Sequence, residues 1–105
     1  MAKPPLRGFA VPTTITFDNE GSDIYTIIEV DTRDRPGLLF DLTSTLAKAH
    51  VNIASAVIVT YGAQVVDMFY VKDVFGLKHY SAARRRTLEH QLRDAIRKGS
   101  EGAQQ

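Results

Sequence analysis

Between Tyr25 and Phe40 the chain changes its hydrophobic period within a few residues, and that switch constrains the fold more than any other stretch. Tyr25-Thr-Ile-Ile-Glu-Val-Asp31 is rich in β-branched and aromatic residues and suits a strand, whereas Leu38, Leu39, Leu42 and Leu46 recur at helical spacing. Arg33-Asp34-Arg35-Pro36-Gly37 between them leaves room only for a tight turn. Pro36 has no N–H and a pre-set φ, which suits the first helical position, and Gly37 lets another group approach the backbone closely. The first N–H groups of the helix then point outward with the positive end of the helix dipole behind them. This corner is the predicted place for a carboxylate or phosphate.

The flanking segments supply the layers that such a strand and helix need. Thr13 to Phe17 alternates Ile15 and Phe17 with threonines, and Asp18-Asn-Glu-Gly-Ser22 reads as a turn, so a hairpin with the strand from about Ile24 to Thr32 is predicted. The helix runs from about Gly37 to Ala49 with Leu38, Leu39, Leu42, Leu46 and Ala49 on its apolar face. Val51 to Tyr61 and Gln64 to Val71 are strand patterns joined by Gly62-Ala63, a second hairpin. Ser81 is placed to cap a last helix whose Leu88, Leu92, Ala95 and Ile96 share a face, with Gly99 as its stop.

The order is ββαββα. Two helices on one face of a four-stranded antiparallel sheet give an α+β, ferredoxin-like sandwich, with the N-terminal strand in the place of the last strand of a full βαββαβ unit. Residues 1–12, holding three of the four prolines, read as a linker or lead-in; residues 13–98 as the domain; residues 99–105 as a flexible tail. Along Val65 to Val71 both parities are apolar, with Val66, Met68 and Tyr70 on one side and Val65, Phe69 and Val71 on the other beside Asp67. Since the helices cover a single face, an apolar surface is left for a second copy or a neighbouring domain.

Composition closes off several classes. With 105 residues, 44% of them hydrophobic and 24% charged, the chain makes one domain, and a net charge of +1 favours neither nucleic acid nor membrane. It has no cysteine, and no apolar run approaches the ~20 residues of a membrane span, which fits a soluble cytoplasmic protein. His50, His79 and His90 share no metal-ligand spacing, so no metal or other cofactor is expected. Asp31, Asp34 and Asp41 lie near the turn without a nucleophile and base beside them, so no enzymatic activity is expected of these residues. Asp34 competes for two roles, ligand contact and capping of the helix that follows it. Arg84-Arg85-Arg86 fans around a helix as a solvated face.

Asp34-Arg-Pro-Gly-Leu-Leu39, followed by Leu42, Leu46 and Val51-Asn-Ile53, resembles the signature of ACT domains, small amino-acid-sensing regulatory modules. More narrowly, Phe17-Asp-Asn, Glu29-Val30, Arg33-Asp-Arg-Pro-Gly-Leu-Leu39 and Val65-Val-Asp-Met-Phe-Tyr-Val71-Lys-Asp73 resemble the C-terminal ACT domains of bifunctional uridylyltransferase/uridylyl-removing enzymes, which act on the PII nitrogen-signalling protein. The resemblance implies a glutamine sensor, often working as a homodimer or against another ACT domain, in a regulatory segment without the catalytic domains. It places the amino acid where Asp34, Arg35, Pro36, Gly37, Leu38 and Leu39 meet Asn52 and Ile53. Backbone N–H groups near Gly37 and Leu38 would take the α-carboxylate, Asp34 the α-ammonium, and Asn52 a polar side chain. The competing reading is a dimerisation or docking module with no small-molecule ligand.

Overall fold

The computed structural model describes residues 12–78 and 81–103. Its spine is a pair of neighbouring antiparallel strands, β2 (Thr26–Arg33) and β4 (Gln64–Lys72), in which every second residue is buried. Thr26, Ile28, Val30 and Thr32 of β2 and Val65, Asp67, Phe69 and Val71 of β4 turn to the same side, because side chains alternate across a strand. α1 (Leu38–Lys48) and α2 (Ala82–Ala103) cover that side, burying Leu38, Leu42, Leu46, Leu88 and Leu92 in one core with the strands. Outside the pair lie β1 (Thr14–Asp18) against β2 and β3 (Asn52–Tyr61) against β4, so the strand order is β1-β2-β4-β3.

β1 therefore sits where the expected topology put it. Ile15 pairs with Val30 and Phe17 with Ile28, which turns both apolar residues of this short strand toward the helices. The connection to β2 is longer than the expected turn, and Ile24 lies outside the strand, exposed to solvent. Side chains hold the connection instead: Asp18 Oδ1 accepts the N–H groups of Glu20 and Gly21, and Ser22 Oγ those of Ile24 and Tyr25. The expected lead-in lies, except for Pro12, outside the described residues.

α2 corrects the reading of its C-terminus. The helix starts as expected, with Ser81 Oγ accepting the Arg84 N–H, but it runs through Gly99 to Ala103. Gly99 is not a stop but a contact. A methyl group built on it would overlap the Arg35 guanidinium and the Asp41 carboxylate, so only glycine lets this turn lie so close to α1. Arg97 ties the helix together across that glycine, with Asp94 behind it and Glu101 ahead.

Leu39 is the second correction. Leu38, Leu42 and Leu46 form a stripe four residues apart that faces the sheet, and Leu39, turned about 100° from Leu38, remains exposed together with Phe40. Two large apolar side chains thus stand in water at the start of α1.

Candidate functional site

The corner between β2 and α1 is held from three directions. The Asp34 N–H donates to the Ala63 carbonyl at 2.9 Å, which ties it to the β3–β4 hairpin. Gly37 takes φ +80°, a left-handed conformation that side chains strain against, and it forms the N-cap of α1. Pro36 accordingly lies before the cap and not at the first helical position.

Arg35 is committed to the scaffold. Its Nη2 lies 2.7 Å from Asp41 Oδ2 and within 3.5 Å of the Ala95 and Ile96 carbonyls of α2, and its Nη1 donates to the Pro36 carbonyl at 3.0 Å. The guanidinium locks the corner to both helices and fills the space over Gly99.

No side chain caps α1. Asp34, a candidate for that role, is exposed and makes no capping hydrogen bond, so the N–H groups of Leu39 and Phe40 keep no partner from a cap. What the corner presents is a pair of outward N–H groups at the positive pole of a helix, Asp34 beside them, and Leu39 and Phe40 as an apolar rim.

Asn52 and Ile53 do not reach this corner within one chain. β2 and β3 both run antiparallel to β4, so they point the same way, and α1 carries the chain back to the opposite end of the sheet before β3 begins. The register makes this plain: Arg33 pairs with Gln64, which also pairs with Tyr61, whereas Asn52 pairs with Lys72 at the far end. There Asn52 Nδ2 donates to the Asp73 carbonyl at 3.1 Å. Ile53 packs against the core beside Val71. The length of β3, roughly 30 Å at ~3.3 Å per residue, separates the two halves of the expected site.

In the sequence, Asp67 was noticed only as a carboxylate among Val65, Phe69 and Val71 on one of two apolar sides of the strand, and the structure buries that side. It pairs with Val30 on one side and Ile58 on the other, is 2% exposed, and its Oδ1 has no hydrogen-bond partner among the described residues. Burial, reinforced by the negative charge of Asp34, pushes its pKa up to about 6. Asp34 is thus near enough to be felt electrostatically by a carboxylate inside the fold.

Comparison with known proteins places this architecture. The family model of the ACT domain matches residues 26–79, beginning at the first residue of β2. The chain belongs to the ACT domain family. It is 71% identical over 97 residues to a bifunctional uridylyltransferase/uridylyl-removing enzyme of Ruegeria pomeroyi, and 70% identical over 97 residues to one of Cereibacter sphaeroides. A third, from Azospirillum brasilense, is 56% identical over 72 residues. These alignments cover 92%, 92% and 69% of this chain but 11%, 10% and 8% of the relatives, so the chain spans about a tenth of their length. No solved structure matches the chain. These 105 residues are an ACT domain, and the greater part of each such enzyme has no counterpart in them.

Proposed function

We propose that this ACT domain is the glutamine-sensing regulatory segment of a cytoplasmic uridylyltransferase/uridylyl-removing enzyme acting on PII, and that it works as a pair. The activity of its relatives, carried in their names, supports the enzyme. The pairing rests on one observation, the free edge of β3.

All ten residues of β3, Asn52 to Tyr61, lack a charge and a proline, and nearly the whole strand is exposed. Such an edge offers unpaired N–H and C=O groups to another strand. Antiparallel pairing of two copies about a two-fold axis through Val57 sets Ser55 across from Val59 and keeps both on the same sheet face. The same operation brings the Asp34 to Leu39 corner of one copy to Asn52 and Ile53 of the other. The halves of the site that one chain holds apart meet in the pair. There the Leu39 and Phe40 N–H groups receive the α-carboxylate, Asp34 faces the α-ammonium, and Asn52 reads the side-chain amide.

Calorimetric titration of the protein with L-glutamine, with L-glutamate as control, tests the reading alongside sedimentation of the same sample. Saturable heat with glutamine and a dimeric mass are expected. A folded dimer silent to millimolar glutamine overturns it. The exposed apolar side chains of the open sheet face, Val57, Val59 and Tyr61, favour the ligand-free docking module as second reading. Gly37→Asp separates the two: loss of glutamine binding with association intact belongs to the sensor, and a protein that never bound glutamine but still associates belongs to the docking module.

A further inference from the structure

The side of the sheet away from the helices is laid out in rows. On β4, Val66, Met68 and Tyr70 alternate with the buried residues and remain partly exposed. Toward β3, Val57 pairs with Met68 and Val59 with Val66, and Tyr61 continues the exposed row. Together they make an apolar strip two strands wide. Toward β2, Glu29 pairs with Met68 and Asp31 with Val66, and the same rows end in Thr16 and Thr14 of β1. One flank of the strip is therefore bordered by carboxylates.

The chain does not neutralise them. Neither Glu29 nor Asp31 belongs to an ion pair among the described residues, and Asp31 Oδ1 accepts a hydrogen bond from the uncharged Gln64. The cations of this face stand at its two ends, Arg33 opposite Gln64 and Lys72 over the Tyr25 ring at 5.4 Å. Whatever covers the strip must then be apolar in the middle and positive along one flank. A second copy brings the same face, with no cation in its middle rows to set over Glu29 and Asp31. Nucleic acid and acidic lipid are repelled by the two carboxylates.

Dimensions narrow the choice further. Two neighbouring strands with their side chains span about 10 Å, the diameter of an α-helix, and the strip is roughly 15 Å long, about three helical turns. Glu29 and Asp31, two residues apart on one strand, are separated by ~7 Å, close to the ~6 Å between positions i and i+4 of a helix. We propose that the open face of β4 and β3 is the docking surface for an amphipathic helix of another polypeptide segment, its apolar stripe on Val57, Val66 and Met68 and its Lys or Arg flank, spaced i and i+4, over Glu29 and Asp31. The apolar strip supplies the affinity by leaving water, and the charged flank selects the partner and its direction. Such docking goes beyond amino-acid binding and does not depend on it.

The probe is a synthetic helix of about 18 residues, built of Leu and Ala with lysines four apart along one flank of the leucine stripe; its control carries Glu at the lysine positions. Met68 lies at the centre of the strip, so its methyl signal, in protein made with isotope-labelled methionine, reports contact by NMR. Saturable movement of that signal with the Lys helix, weakened by added salt, is expected, with binding of the Glu helix at least about 10-fold poorer. In the double variant Glu29→Lys, Asp31→Lys the preference inverts. Should that variant fold poorly, Glu29→Gln with Asp31→Asn keeps the side-chain shapes and removes both the preference and the salt dependence. Equal binding of the two helices by the wild type, a preference unchanged in the variants, or a Met68 signal that neither helix moves overturns the proposal. So does a Met68 signal that moves with protein concentration alone, which places a second copy on this face. None of these readouts involves glutamine, so the docking surface and the functional reading fail separately.

Discussion

The two margins of the sheet are built on opposite principles. β1 has five residues, three of them polar, and its backbone closes the edge of β2 while Ile15 and Phe17 enter the core. Arg93 of α2 reaches across to donate to the Thr13 carbonyl at 2.9 Å, so the margin is also tied to the helical layer. β3 is twice as long, uncharged and exposed, and α1 and α2 leave its Ile58 uncovered. The polar groups follow the same division, since Thr26 and Thr32 on the β1 side are bonded and Asp67 on the β3 side is not. A margin closed within the chain needs nothing further; one left open offers its backbone groups to another strand.

Breaking the closed margin has the largest effect. Removing the chain through Asp18 takes Ile15 and Phe17 from the core, each worth about 1.5–3 kcal/mol, and opens the edge of β2. Loss of most of the stability and aggregation are expected, read as a broad or absent unfolding transition. A shortened protein that melts like the original and stays soluble would show that the β1 margin is dispensable.

The next effect is at Asp67, and it has the opposite sign. Its folded-state pKa of about 6 lies above the ordinary carboxylate value, so between about pH 4 and pH 6 the folded state binds more protons than the unfolded chain. Stability therefore falls as the pH rises through that window and is lowest above it. Asp67→Asn removes this penalty, stabilising the unliganded protein by on the order of 1–3 kcal/mol at pH 7.5 and flattening stability between pH 4 and 6. Urea unfolding at the two pH values checks both. A variant that is destabilised at pH 7.5 would mean that the carboxylate already has a partner.

On the satisfied side, Thr32→Val removes the bond to Thr13 and costs about 1 kcal/mol, with no change in its pH dependence. The smallest effect on stability belongs to Val57→Lys, at the exposed centre of β3, which is expected to stay within about 0.5 kcal/mol of the wild type. Its consequence is for association: two lysines meeting at the two-fold axis repel, and sedimentation should find a monomer with weakened glutamine binding. A dimer that survives Val57→Lys moves the interface away from this edge.

The alternation in β2 and β4, the Gly62 turn, the Ser81 cap and the switch of period at Arg33 to Leu38 could be read directly, because each depends on neighbours a few residues away. Even the place of β1 followed from local reasoning, since a hairpin allows little choice of neighbour. Leu39, Gly99 and Arg35 were harder. Helical spacing allowed Leu39 on the apolar face, and how α1 lies on the sheet left it outside. Glycine after a helical run resembles a stop until a guanidinium from sixty-four positions away occupies the space beside it.

What the sequence determined by itself was the succession of elements and the place of the corner between strand and helix, consequences of the backbone's two periods. What only the tertiary structure decided was where the chemistry lies. Asn52 and the Asp34 corner fall at opposite ends because β2 and β3 run the same way across β4, and the Asp67 carboxylate is buried between the strand neighbours Val30 and Ile58, with no hydrogen-bond partner for its Oδ1 among the described residues. Strand direction and the burial of a carboxylate beneath the helices are properties of the assembled layers, and no stretch of sequence short enough to be read locally contains them.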